Sequence, residues 1–302
     1  MKRILSLLAM GLAFNTSGQT YHFSNVALGK SFSKALQISS IASVDDSLYL
    51  PAEKCGKIYI GKIVSDSLRY RTASMTVGAT EGLAYHNGFF YTSDDAANVV
   101  RKYNKTFSQQ PVEYIIDFNG FQHKPTDGNG FEGVAVLNDT TIVLLLEKVK
   151  SLRCAVLYRG IIRADKIVLV EQRLLGVVTK ERYCDLHYRN DTLFLLKSAY
   201  FGERTRPFLV NNCNQENNYS IRYLEISPKG NSQEWLTGTP SLLFSLKKAA
   251  LDNCNAYNTN IEGIAADVYG NFYAVSDNLY ANGLCDVSGE NKTLLLKIQR
   301  HK

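Results

Sequence analysis

The chain has 302 residues, 34 of them Lys or Arg and 28 Asp or Glu, for a formal net charge of +6. So small and scattered a positive balance excludes the basic face of a nucleic-acid binder. Its six cysteines (Cys55, Cys154, Cys184, Cys213, Cys254 and Cys285) include no CxxC pair and are accompanied by only five histidines, so a structural zinc site has no support.

In chain order, the first feature is a positive start at Lys2 and Arg3, an apolar stretch over residues 4–13 and a small polar exit at Ser17, Gly18 and Gln19. This is the pattern of a secretory signal peptide over residues 1–19. The stretch is about half the ~20 residues that span a bilayer, and no later run is longer, so no membrane span is expected. The protein is expected to be exported (periplasmic, cell-surface or extracellular), with one domain over residues 20–302, and to be a monomer. An oxidising compartment permits disulfides, although the number of pairings open to six cysteines leaves the connectivity undecided.

Internal repetition is the strongest signal. Residues 81–95 (EGLAYHNGFFYTSDD), 132–147 (EGVAVLNDTTIVLLLE) and 262–278 (EGIAADVYGNFYAVSDN) each open with Glu-Gly, run as a short apolar strand, turn at a polar pair and return. Two weaker copies are residues 39–53 (SSIASVDDSLYLPAE) and 184–198 (CDLHYRNDTLFLLKS), with Ser-Ser and Cys-Asp in the Glu-Gly place. Asn87-Gly88, Asn138-Asp139 and Asn190-Asp191 suit tight hairpin turns, because they tolerate positive φ. Two further strand-like runs follow most hairpins: 99–103 and 112–118, 155–159 and 166–172, then 220–226 and 241–246 after a long insertion at 200–219. Four antiparallel strands per repeat of roughly 40 to 50 residues predict an all-β, five-bladed β-propeller, with six blades as the runner-up. The last repeat is one strand short, and residues 21–28 are expected to supply its outer strand and close the ring. Only residues 247–251 suggest a helical turn.

In such a ring the starts of the innermost strands gather around one mouth of the channel. Glu81, Glu132, Glu262, Ser39 and Asp185 are therefore placed there as candidate metal ligands, with Cys184 beside Asp185. Glu53, Asp94, Asp95, Glu147 and Asp277 fall just outside, among Lys54, Lys148 and Lys197. Converging carboxylates repel and raise one another's pKa values. A calcium ion, which takes six to eight oxygens, would relieve this; so would pairing with the nearby lysines or with backbone N–H groups. Cys213, Cys254 and Cys285 fall on the same face, and a bridge from Cys254 to Cys213 or Cys285 is expected.

Residues 130–147 (GFEGVAVLNDTTIVLLLE) and 261–278 (IEGIAADVYGNFYAVSDN) resemble the blade motifs of the esterase-like phytase family of secreted propellers. The run FFYTSDDAANVVRKY at 89–103 is similar to five-bladed calcium-activated apyrases. Both resemblances imply a calcium ion at the mouth and phosphoester or ester hydrolysis. On that scheme Glu81, Glu132 and Glu262 hold the metal, Asp94 or Asp277 takes the proton, and Lys148, Lys197, Arg204 and Arg206 hold anionic oxygens. The alternative is a non-catalytic propeller whose rim binds a glycan, peptide or envelope partner, with a structural metal. No G-x-S-x-G elbow is present, which excludes a serine hydrolase of the α/β type.

Overall fold

A computed structural model describes residues 20–28, 37–52, 56–94, 98–125, 130–149, 153–178, 180–199, 204–206, 209–210, 213, 215–226, 234–254, 257–277 and 292–300. The expected signal peptide, Glu53, Lys54, Cys55, Asp95, Cys285 and part of the 200–219 insertion lie outside the described residues.

The main strands form five four-stranded antiparallel meanders. Sheet one is Ala42–Val44, Ser47–Ala52, Lys57–Val64 and Ser67–Thr72. Sheet two is Gly82–His86, Phe89–Ser93, Val99–Asn104 and Val112–Asp117. Sheet three is Phe131–Asn138, Thr141–Val149, Cys154–Ile162 and Lys166–Gly176. Sheet four is Glu181–Arg189, Thr192–Ala199, Asn218–Glu225 and Ser241–Ser245. Sheet five is Asn260–Ala266, Phe272–Asp277 and Leu295–Arg300, completed by Tyr21–Asn25 from the other end of the chain. Shortly after it, Ala27 and Leu28 pair with Ser67 and Leu68 of sheet one. The N-terminal segment thus clasps the last sheet to the first and covers the edge that sheet five would otherwise expose. The outer strands of sheets two and three also join in parallel, at Ile115 to Asp117 against Lys166 to Val168.

The innermost strands neighbour one another in order and return from sheet five to sheet one, which makes the fold a β-propeller. Strand alternation explains why the ring closes. In sheet three, Val134, Val136, Leu144 and Leu146 face the cluster shared with sheet two, while Ala135, Val143 and Leu145 face the one shared with sheet four. A run such as Ile142 to Leu146 is apolar without a break because both of its faces are buried. Comparable clusters fill the other three junctions. The one helix among the described residues is Lys247–Asn253, which extends the expected turn by two residues.

The turns form where the polar pairs stand. Asn87 and Gly88 have φ of 52° and 88°, and Asn190 and Asp191 have 48° and 56°, as a two-residue hairpin of type I′ requires. At the third hairpin Asn138 instead accepts the Thr140 N–H with its side chain, at 3.0 Å, so Asp139 and Thr140 form the loop.

Candidate functional site at the channel mouth

The repeated Glu-Gly position is a β-bulge. In sheets three, four and five the register slips between Phe131 and Gly133, Tyr183 and Asp185, and Ile261 and Gly263. In sheet two the N–H groups of Glu81 and Gly82 both fall opposite Ser93. An extra residue at this point re-aims its side chain, which is how Glu81, Glu132, Cys184 and Glu262 come to occupy equivalent places.

The following position is the narrowest part of the ring. A Cβ on Gly82 would lie 2.8 Å from the backbone of Gly133 and Val134, and one on Gly133 3.0 Å from the Leu186 nitrogen. One on Gly263 would lie 2.9 Å from the Ser40 backbone. Glycine is needed because neighbouring inner strands touch there. Sheets one and four place Ser40 and Asp185 at this level, and the two meet: Ser40 donates from Oγ to Asp185 Oδ2 at 3.1 Å. Asp185 also accepts the Leu186 and Ile264 N–H groups, both at 2.8 Å, and Ser40 Oγ accepts the Leu83 N–H at 3.1 Å. One fully buried carboxyl group thereby ties sheets one, two, four and five together. Burial pushes the Asp185 pKa well up, against the downward pull of its three hydrogen bonds. Beyond this knot the channel holds a cavity of about 40 Å³ lined by Ala42, Leu83, Val134 and His187. The His187 pKa is pulled down to about 4 by burial and then by Arg189, so this histidine is neutral near pH 7.

At the Glu level, Arg182 organises the charge. Its guanidinium donates to Glu147 Oε1 at 2.5 Å, to Glu262 Oε1 and to Asn260 Oδ1, while Asn260 Nδ2 donates to the same Glu262 oxygen at 2.7 Å. Burial works against the charged guanidinium, but Glu262 and Glu147 outweigh it and raise its pKa. Glu132 takes none of these hydrogen bonds. Burial, then the charges of Glu147 and Glu81, push its carboxyl well above the ordinary range, with Arg182 only partly offsetting them. Glu81 is buried at 7% exposure and Glu262 at 8%. Arg182 and Asn260 both stand two residues before the repeated acid position, a place held in the other sheets by Gln37, Ala79 and Gly130. Sequence reasoning missed that position; an arginine at an equivalent place in the repeat was its one visible signal.

The other expected residues are distributed as follows. Ser39 is buried, and its hydroxyl is without a hydrogen-bond partner, as are those of Ser93 and Ser198. Asp94 is ion-paired with Arg101 at 2.7 Å, which also holds Glu113. Asp277 is buried opposite Asn260. Lys197 is ion-paired with Glu181 at 2.6 Å. The side chains of Lys148, Arg204 and Arg206 lie outside the described part; the backbone of the latter two forms the short strand Arg204–Arg206. Cys254 is bonded to Cys213, one of the two expected bridges, while Cys154 and Cys184 are buried free thiols.

The donor set bears on the calcium expectation. A guanidinium already sits between Glu147 and Glu262, and Glu262 Oε1 accepts from both Arg182 and Asn260. Among the described residues no group of three or more His, Cys, Asp or Glu side chains is disposed to hold a metal ion. As arranged, Glu147 and Glu262 are both bound by Arg182.

Among the described residues no helix is long and apolar enough to cross a membrane. No protein-family model matches the sequence, and no curated protein matches it. The blade-motif resemblance to esterase-like phytases therefore rests on those motifs alone. Solved structures match over most of the chain. The xyloglucan-locus GH43B of Bacteroides ovatus aligns at 12% identity and a TM-score of 0.50, over 91% of this chain and 54% of that one. This chain thus spans about half the length of that protein. Glutaminyl cyclase of Myxococcus xanthus aligns at 12% identity and a TM-score of 0.49, over 93% of this chain and 97% of that one. At such identities the likeness is one of fold, and the chain is a β-propeller with an acidic, arginine-organised channel mouth.

Proposed function

We propose that this protein is an exported hydrolase that cleaves an uncharged glycosidic bond with carboxyl groups at the channel mouth. The observation that carries the proposal is the unequal treatment of neighbouring acids. Glu147 and Glu262 share the Arg182 guanidinium, whereas Glu132 is left among like charges and is driven towards its neutral form. Paired carboxyl groups held in different protonation states are what glycoside hydrolysis uses. Glu132 gives its proton to the leaving oxygen as the glycosidic C–O bond breaks. Glu147 or Glu262, each bound to Arg182 through Oε1, takes the proton of the attacking water on Oε2. The excess of carboxylates at the mouth disfavours an anionic phosphoester, which would bring further negative charge beside the buried Glu132. Export is supported by the Cys213–Cys254 bridge and by the leader-like residues 1–19.

The test is turnover of nitrophenyl glycosides, set beside p-nitrophenyl acetate and p-nitrophenyl phosphate, with and without a chelator. Hydrolysis of a glycoside that survives chelation is expected. Glu132→Gln should lower kcat by about 10²- to 10⁴-fold on a poor leaving group, and much less on dinitrophenolate, which needs no proton. No glycoside turnover, or an equal loss on both leaving groups, overturns the assignment. Calcium-dependent phosphatase activity would instead support the scheme implied by the blade motifs.

A further inference from the structure

A second site lies at the other end of sheet one, on the hairpin side of the ring and away from the mouth. A cleft of about 380 Å³ opens there, lined by Ser47, Tyr49, Lys62, Arg69 and Arg71 over a floor of Ile60 and Gly61. That volume falls in the range of small-molecule sites. The strand register puts the charged groups on one face: Lys62 lies directly opposite Arg69, and Ile60 lies between Tyr49 and Arg71. Like charges directly opposite across a sheet are destabilising, and three cations in two adjacent rows find little relief. Lys62 has Asp46 at 2.8 Å, both largely exposed, but no carboxylate pairs with Arg69 or Arg71 among the described residues. Lys105 reaches the same corner from sheet two, bonded to Asp45 at 2.8 Å. Lys105 and Arg71 both act electrostatically on the Tyr49 phenol.

A like-charge pair relieved, among the described residues, only by the exposed Asp46 points to an anionic ligand outside the fold. We infer that this cleft binds the sulfate or phosphate ester of a small sugar, with Arg69 and Arg71 gripping the oxyanion. Two guanidiniums two residues apart on one strand offer forks matched to tetrahedral oxyanions. Ile60, in register between Tyr49 and Arg71, gives the sugar ring an apolar floor. The mouth repels such a group and this cleft attracts it, so the two sites select opposite charge.

Calorimetric titration at constant ionic strength, with glucose 6-sulfate, glucose 6-phosphate, inorganic sulfate and inorganic phosphate, tests this and separates the two ester chemistries. Saturable binding of at least one sugar ester is expected, weakened about tenfold or more in the Arg69→Ala/Arg71→Ala protein and unchanged in Glu132→Gln. The double variant should melt no lower than the parent, because a like-charge cluster has been thinned. Failure of all four probes to saturate, or equal affinity in the double variant, overturns the inference. Neither result touches the activity at the mouth.

Discussion

Sheets two, three and five enter the ring with Glu-Gly, whereas sheets one and four enter with Ser39-Ser40 and Cys184-Asp185. The glycines exist because inner strands touch: any side chain at Gly82 or Gly263 would overlap the next strand's backbone. The two exceptions are placed so that each relieves the other. Ser40 and Asp185 bond together and collect three backbone N–H groups, two of them from other inner strands. Packing closes three entries, and a buried polar knot closes the remaining two. Above this level the difference shows in the charge, since the two sheets without a glutamate leave an odd, uneven set of acids around Arg182.

The largest effect that can break this comparison is expected at the knot. Asp185→Ala strands the Ser40 hydroxyl and two buried N–H groups, at about 1–3 kcal/mol for each unsatisfied group. We expect a total loss of about 3–5 kcal/mol in urea unfolding, and a change below ~1 kcal/mol would mean that the knot closes nothing. The glycine entries come next. Gly82→Ala brings a Cβ to 2.5 Å from Ser93 Oγ and 2.8 Å from backbone, whereas the tightest approach at Gly133 is 3.0 Å. Gly82→Ala should therefore cost more than Gly133→Ala, both within the ~1–3 kcal/mol of overpacking, and the reverse order would contradict the close-approach account.

The smallest effect sharpens the electrostatic half. A carboxyl whose pKa is higher folded than unfolded stabilises the protein fully below its unfolded pKa, and that stability is lost as pH rises through the folded value. Glu132 is such a group. Glu132→Gln should match the parent near pH 4 and melt higher than it at pH 7 to 8, a tenfold difference in proton affinity between the two states being worth about 1.4 kcal/mol. Parallel melting curves across that range would show that Glu132 feels no neighbouring charge.

Much of this was legible in the chain. Polar pairs at 87–88 and 190–191 marked real positive-φ turns, the unbroken apolar runs marked strands buried on both faces, and the short fifth repeat matched an N-terminal strand that fills it. The Glu-Gly pairs also signalled a shared place at the mouth. Their partner was harder to see. Arg182 lies 35 residues from Glu147 and 80 from Glu262, and nothing local distinguishes it from a solvated surface arginine. Asp185 was read as a mouth ligand because it sits beside the acid position, but the bulge at Cys184 turns it into the axis of the ring.

The sequence by itself determined the propeller fold and the shared register of the Glu-Gly positions, because periodicity, turn chemistry and repeat register are local properties repeated often enough to reinforce one another. Only the tertiary structure decided which acids are paired, which is left to protonate and where three cations are crowded on sheet one. Those outcomes depend on distances between different strands and sheets, and burial strengthens each charge interaction there far beyond what composition can reveal.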